Sequence, residues 1–448
     1  MGQITRPMTH PHSFITKIQH TSSPNRNLLS TISLSLLRYR ALYTRASVGR
    51  LKKMSASVQL PPLPLLLITT IITALFSSTT AAAAAPTRYH PFKKIYAFGD
   101  SFTDTGNTRP PSSVGPGGGG GGFFGHVSSP PYGSTYFHRP TNRYSDGRLV
   151  IDFVAQSLSL PLLPPYRSLR GARNNGGGAN FAVGGATAIK HAFFVKNNLT
   201  LDNTPVSIQT QLQWFDESLR SQGCDGNTST AATAACAAAV EDALFWVGEI
   251  GVNDYAYTLG SEVSGKTIRR LSIATVTNFL EQGLLKRGAK KMVVQGLPPA
   301  GCLTLAMYLS PDDDRDELGC VKTVNNQAQV HNSVYRSKLN GLRARYPKAS
   351  IVYLDYWSAY RAVVRSPGKY RMKEKFKACC GSGDPPYNFN VFATCGSPGA
   401  SAAAAACPDP SRYVNWDGVH LTEGMYRVLA DLFVNGSFST PRFATLLA

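Results

Sequence analysis

Apolar and polar positions along the chain follow an order that predicts strands and helices in alternation. Short apolar runs are typical of buried strands and cover residues 93–98, 179–183, 243–247, 291–295 and 350–354. Longer stretches with helical periodicity or length predict helices at residues 148–158, 208–219, 268–286, 324–345 and 423–433. Because short strands are followed by helices, we expect an α/β fold in which helices cover both faces of a mainly parallel sheet.

Four low-complexity tracts interrupt this order. They are glycine runs at 117–122 and 176–178 and alanine-rich runs at 231–239 and 402–406. Lying between the predicted core elements, they are interpreted as loop expansions that the fold tolerates. None of the glycine runs has the spacing of a phosphate-binding loop, so nucleotide binding is not expected.

The N-terminal region carries two candidate targeting signals. Residues 1–53 contain nine Lys or Arg and no acidic residue, which is the composition of an organelle transit peptide. Met54 opens a second signal, with an apolar stretch at 63–76 and small residues up to 85, a stretch too short to span a bilayer. The preferred interpretation is a basic extension (1–53, disordered or absent from the mature protein), a secretory signal peptide (54–85) and one large α/β domain (86–448). The alternative is import into a plastid or mitochondrion.

Net charge does not indicate a nucleic-acid partner. The formal charge of +20 is partly concentrated in the first 53 residues, which leaves 37 of the 46 basic residues against all 26 acidic ones. No basic cluster interleaved with aromatic residues occurs in that part, so the excess is interpreted as a solvated surface. The apolar fraction of 43% is ample for a core, and a monomer is expected.

Cysteine usage favours export. The eight cysteines form no CxxC pair, and an even number without metal-ligand spacing predicts disulfides in a secreted chain. Local pairing would join Cys224 to Cys236 and Cys302 to Cys320. The other four, Cys379, Cys380, Cys395 and Cys407, have three possible pairings, and the two adjacent cysteines are expected to reach Cys395 or Cys407. Eight buried thiols are the alternative. The sequons at Asn198, Asn227 and Asn435 are candidate glycosylation sites.

A serine and a histidine about 300 residues apart carry the main chemical signal. Ser101 follows the first apolar run, where a buried strand would end in a loop, and Asp417 precedes His420 by three residues. A hydroxyl is a poor nucleophile until an imidazole takes its proton, and a nearby carboxylate fixes the imidazole tautomer. These residues therefore predict acyl transfer. The simpler alternative for Ser101 is the N-cap of a following helix, and Asp100 is expected to accept loop N–H groups.

Two further segments offer donors for a tetrahedral intermediate. Residues 179–187 contain paired glycines, and Asn253 follows the apolar run at 243–247. Negative charge that develops on a substrate oxygen needs fixed N–H donors in a dry site. The backbone N–H groups of Ser101 and Gly185 and the side-chain amide of Asn253 are the candidates.

Taken in order, these segments resemble the plant GDSL-type esterase/lipases of the SGNH hydrolase superfamily. The four matching blocks are Gly99-Asp100-Ser101, Asn-Phe-Ala-Val-Gly-Gly-Ala at 180–186, Gly251-Val252-Asn253-Asp254 and Asp417-Gly418-Val419-His420. The resemblance implies a flavodoxin-like α/β/α sandwich, Ser101 as nucleophile, His420 as base, Asp417 as its partner, and Gly185 and Asn253 as oxyanion donors. Phe102 departs from the family name, which has leucine there, and is expected to affect packing rather than chemistry.

The resemblance implies a serine esterase that hydrolyses O-acetyl, acyl or phenolic esters through an acyl-enzyme. An acyltransferase on the same site and an inactive glycan-binding wall protein are the alternatives. The sequence lacks HExxH, Cys/His ligand clusters and dinucleotide loops, so no metal or organic cofactor is expected. The expected partner is an ester substrate, a small molecule, a lipid or an acetylated polysaccharide, and the expected location is extracellular or the cell wall.

Overall fold

The computed structural model describes residues 91–108, 125–170, 178–199, 204–224, 230–397 and 406–448. The predicted extension, the predicted signal peptide and most of the glycine and 402–406 tracts lie outside the described residues. The strands are β1 Lys94–Phe98, β2 Gly178–Asn180, β3 Ala243–Val247, β4 Lys291–Gln295, β5 Ser350–Leu354 and β6 Ser439–Thr440. The α-helices are α1 Val150–Ser157, α2 Tyr166–Leu169, α3 His191–Lys196, α4 Ile208–Ser221, α5 Thr230–Glu241, α6 Val252–Ala256, α7 Gly265–Asn278, α8 Thr304–Leu309, α9 Lys322–Arg345, α10 Tyr356–Arg365 and α11 Glu423–Val434.

The six strands form one sheet in the order β2-β1-β3-β4-β5-β6. Strands β1 to β5 pair in parallel, and β6 adds an antiparallel edge. The order of the parallel strands is that of flavodoxin-like sheets, which bind ligands beyond the carboxyl ends of their strands. Phe98 and Val247, the last residues of β1 and β3, pair with each other, so the segments that carry Ser101 and Asn253 leave the sheet side by side. The predicted fold class is confirmed.

Side chains alternate between two apolar layers, one on each face of the sheet. In β1, Ile95 and Ala97 pack into the layer formed with α1, α10 and α11, whereas Tyr96 and Phe98 pack into the layer formed with α4, α7 and α9. Burial of each large apolar side chain contributes about 1.5–3 kcal/mol, so the two layers hold β1 and its loop rigidly in the middle of the sheet.

Two predicted elements differ in extent from the observed ones. The strand predicted at 179–183 ends at Asn180, because the Asn180 side chain accepts the Ala182 N–H at 2.9 Å and turns the chain. The helix predicted at 268–286 begins earlier, at Gly265, where Ser264 caps it by accepting the Thr267 N–H. After Asn278 it continues as a π-helical turn and a 3₁₀ turn up to Arg287.

The alanine-rich tract at 231–239 was predicted as a loop expansion, and this is wrong. It lies within helix α5, Thr230–Glu241. Alanine has the highest helix propensity of all residues, and the Cys224–Cys236 disulfide ties this helix to the end of α4. Low complexity therefore marks an ordered element here.

Four disulfides join the eight cysteines, as predicted for an exported chain. They are Cys224–Cys236, Cys302–Cys320, Cys379–Cys407 and Cys380–Cys395. The two local pairings are confirmed, and the last four cysteines take one of the pairings left open. Four disulfides fit an extracellular protein. Among the described helices, none combines the length and apolar character that a membrane span requires.

Candidate active site

Ser101 lies in a tight turn directly beyond β1. The N–H groups of Thr103 and Asp104 donate to the Asp100 carbonyl at 3.0 and 2.9 Å, and the Phe102 N–H donates to Asp100 Oδ1 at 3.0 Å. Residues 101–103 thus form a turn and not a helix, so Ser101 caps no helix here. Asp100 accepts loop N–H groups, as predicted. Ser101 is 6% exposed, which places it at the edge of the buried interior.

His420 and Asp417 form a buried pair within one segment. The imidazole Nδ1 lies 2.7 Å from Asp417 Oδ2, and the other carboxylate oxygen accepts the N–H groups of His420 and Val419 at 2.8 and 3.0 Å. The Tyr132 hydroxyl also donates to Asp417 Oδ2, at 2.7 Å. Burial alone would raise the pKa of Asp417, but the His420 charge and these hydrogen bonds lower it. Asp417 therefore stays ionised and fixes the orientation of the imidazole ring through Nδ1.

Two aromatic rings bring the histidine to the Ser101 turn and to the paired glycines. The Phe102 ring, next to Ser101 in sequence, lies 5.5 Å from the His420 ring, and the Tyr144 ring lies 4.4 Å from it, both between centroids. Tyr144 also packs so closely against Gly184 that a Cβ at this glycine would collide with its ring. Segments from three distant parts of the chain thus meet around His420. Phe102 packs as expected, also against Tyr356 and Tyr426.

The two glycines at 184 and 185 have different surroundings. The Gly184 N–H donates to Asp104 Oδ2 at 2.9 Å, so this amide is already used inside the protein. Gly185 adopts a φ of 81°, in the left-handed region that favours glycine, and its carbonyl accepts the Tyr257 hydroxyl at 2.8 Å. The Gly184 amide and the Gly185 carbonyl are thus both held by contacts within the protein.

Asn253 connects the Ser101 turn to the glycine segment. Its amide nitrogen donates to Asp100 Oδ2 at 2.9 Å and to the Ala186 carbonyl at 3.0 Å. Both N–H groups thus have partners within the protein. An oxyanion would have to replace one of them, and hydrogen bonds of this kind often align only when substrate is bound.

Sequence reasoning missed several residues that hold these segments. Asp104 accepts the N–H groups of Gly106, Asn107 and Thr108 in addition to that of Gly184, and so closes the loop after Ser101. Gln211 on α4 binds both the N–H and the carbonyl of Gly99, at 2.9 and 2.7 Å. Asp104 lies six residues before a conspicuous Pro-Gly-rich stretch and could have been noticed as a turn former. Gln211 and Tyr132 give no local signal, because their roles depend on tertiary contacts.

Two of the three sequons lie on the described surface. Asn198 and Asn435 are exposed, whereas Asn227 lies outside the described residues. Glycosylation at these positions stays a prediction.

Comparison with known proteins agrees with the fold. The family model for GDSL-like lipase/acylhydrolase matches residues 95–433. A GDSL esterase/lipase of Arabidopsis thaliana is 60% identical over 367 residues, which is 81% of this chain and 91% of the relative. A second one from the same plant is 38% identical over 365 residues, 80% of this chain and 88% of the relative. Acetylajmalan esterase 2 of Rauvolfia serpentina is 36% identical over 350 residues, 77% of this chain and 90% of the relative. The chain therefore belongs to the GDSL esterase/lipase family and is an ester-bond hydrolase.

Proposed function

We propose that the chain is a serine esterase that cleaves carboxylic esters through an acyl-enzyme on Ser101. His420 takes the Ser101 proton while the hydroxyl attacks the ester carbonyl, and Asp417 stabilises the imidazolium that forms. The protonated imidazole then gives its proton to the departing alcohol. Water, deprotonated by the same imidazole, releases the acid and restores Ser101.

The oxyanion that forms in both steps would be bound by three N–H groups. We assign them to the backbone of Ser101, the backbone of Gly185 and the side chain of Asn253. This assignment is supported by the Asn253 bond to the carbonyl of Ala186, the residue after Gly185, and by its bond to Asp100, the residue before Ser101. The three donors therefore come from segments that are hydrogen-bonded to one another.

One observation carries the proposal. The buried 2.7 Å contact between His420 Nδ1 and Asp417 Oδ2 lies against the ring of Phe102, the residue after Ser101. An ionised carboxylate at Nδ1 favours the tautomer in which Nε2 can accept a proton, and the contact with Phe102 supports Ser101 as the group that gives up this proton.

We propose acetyl esters as the first substrate class and the secretory route as the destination. The name of one relative, acetylajmalan esterase, supports the former, and the four disulfides support the latter. Products should be compared with and without an added polyol. Free acetate in both cases supports hydrolysis, whereas an acetylated polyol would assign a transferase.

The test is steady-state hydrolysis of p-nitrophenyl acetate by the S101A variant. We expect turnover to fall at least about 10³-fold, since removal of a triad nucleophile has effects of that order or larger. S337A, an exposed serine on α9, is the matched control and should retain wild-type turnover. Wild-type turnover by a folded S101A protein would contradict the proposal.

A further inference from the structure

A second buried carboxyl group lies beside the Ser101 turn and has no part in the mechanism above. Glu249 follows β3, is fully buried, and donates its backbone N–H to Gln295 Oε1 at 3.1 Å. Its side chain meets the Asp100 carboxyl and lies near the Val252 amide, but neither of its oxygens is in hydrogen-bonding geometry with a donor among the described residues. A buried carboxylate without donors is strongly disfavoured, so the group needs another explanation.

Backbone packing forces the two carboxyl groups together. The Gly248 N–H donates to the Phe98 carbonyl at 2.8 Å, which extends the pairing of β3 with β1 beyond the strands. A Cβ at Gly248 would collide with the Thr103 side chain, so the two loops can approach this closely only because glycine is present. Asp100 and Glu249 lie in these two loops, and their carboxyl groups meet where the loops are held together.

A proton shared by the two carboxyl groups would supply the hydrogen bond that the Glu249 side chain otherwise lacks. Two carboxylates in contact in a dry interior cannot both stay ionised, whereas a protonated one donates a hydrogen bond to the other. Burial, and then the charge of Asp100, raise the pKa of Glu249 well above its usual range. Burial also raises the pKa of Asp100, to about 6.

The charges around the pair favour ionisation of Asp100 more than that of Glu249. The negative charge of Asp254 raises the pKa of Glu249 further, whereas the charge of His420 lowers the pKa of Asp100. On α10 and α11, the negative charge of Asp100 contributes to the raised pKa values of Tyr356 and Tyr426. Among the described residues, no Lys or Arg is one of the groups that act most strongly on either carboxyl.

Asp100 links this pair to the oxyanion donor. Its Oδ1 accepts the Phe102 N–H, and its Oδ2 accepts one N–H of Asn253 at 2.9 Å. The second N–H of Asn253 points to the Ala186 carbonyl, beside Gly185. Asp100 thus anchors one N–H of the amide, which leaves the other on the side where the substrate oxygen would bind.

We propose that Glu249 is a positioning residue for the oxyanion hole, which shares a proton with Asp100 and thereby fixes the carboxyl that anchors Asn253. This inference rests on the proposed function, because it takes Asn253 as an oxyanion donor.

The first test is a double-mutant cycle with p-nitrophenyl acetate. We expect E249L to lower kcat about 10-fold or more with little change in KM. A misaligned Asn253 amide would stabilise the transition state less well, but its loss should be smaller than that caused by complete removal of the donor. E249Q, which keeps a donor toward Asp100, should recover most of that loss. In the N253A background, E249L should have almost no further effect. The inference is overturned if kcat of E249Q is as low as that of E249L. It is also overturned if E249L lowers kcat as much in the N253A background as in the wild type.

The second test needs no activity and also serves if E249L does not fold. The folded pair keeps a proton that the unfolded chain releases above the ordinary pKa of Glu. The contribution of this pair to the free energy of unfolding is therefore greatest at low pH, and it falls as pH rises toward the raised pKa. E249Q has no such proton. The Tm of the wild type relative to that of E249Q should therefore decrease steadily from about pH 5 to pH 8.

Parallel Tm curves for wild type and E249Q would contradict the shared proton. This outcome is independent of whether Ser101 is the nucleophile. If Ser101 is not the nucleophile, S101A would keep its turnover while the pH-dependent Tm difference between wild type and E249Q persisted. Failure of the proposed function and failure of the shared proton are therefore distinguishable.

Discussion

Asp417 and Asp100 are both buried acids at the same edge of the sheet, yet their proton affinities change in opposite directions. Asp417 accepts hydrogen bonds from two backbone amides, the His420 ring and the Tyr132 hydroxyl, and its pKa is lowered. Burial raises the pKa of Asp100 to about 6, and its hydrogen bonds with Glu249 and the Phe102 N–H lower this pKa only in part. The difference shows that the charge of a buried acid depends on whether its hydrogen bonds and neighbouring charges outweigh the effect of burial.

This difference assigns two kinds of work to two similar side chains. In the proposed mechanism, an ionised Asp417 would stabilise the positive charge that develops on His420 during proton transfer. Asp100, in contrast, serves as an acceptor that holds backbone and amide N–H groups in place. A variant that removes the charge of Asp417 and a variant that removes Asn253, the partner of Asp100, should therefore lower kcat by different factors.

The largest effect is expected from D417N. The amide removes the charge and allows the wrong imidazole tautomer, and a change of this kind at a Ser-His-Asp site lowers kcat about 10⁴-fold. D313N, an exposed aspartate in the loop after α8, is the control and should retain activity. Steady-state kinetics at several pH values would check this. A D417N enzyme within a few fold of wild type would mean that Asp417 only braces the segment.

A smaller effect is expected on the Asp100 side. N253A removes the group that Asp100 anchors, and the loss of one oxyanion donor lowers kcat about 10²–10³-fold. KM for p-nitrophenyl acetate should change little, because the donor acts mainly in the transition state. N340A, an exposed asparagine on α9, is the matched control. A rise in KM alone, with kcat intact, would place Asn253 in substrate binding instead.

The sheet could be predicted from the sequence because its strands are buried on both faces. Strands β3, β4 and β5 occupy the residues predicted for them, since parallel strands covered on both sides are continuous apolar runs bounded by turn residues. Strand β6 could not be predicted, because two residues carry no periodicity. Helix α5 was missed because its low complexity was taken as a sign of a loop, although alanine favours helix.

Contacts within the candidate site were predictable where the residues that make them are also neighbours in sequence. Asp417 lies three residues from His420, and the turn of the segment makes their contact almost unavoidable. Glu249 is four residues from Asn253, but the role proposed for it depends on Asp100, which follows a different strand. Tyr132 reaches Asp417 across 285 positions. Contacts of that kind depend on the packed fold and leave no trace in local patterns.

The most direct measurement of the central claim is covalent labelling with a fluorophosphonate, followed by mass mapping of the modified peptide. The account predicts one adduct per chain, on Ser101, with no labelling of S101A and much slower labelling of H420A than of H138A, an exposed histidine. An adduct on a different residue, or labelling of S101A at the wild-type rate, would contradict it.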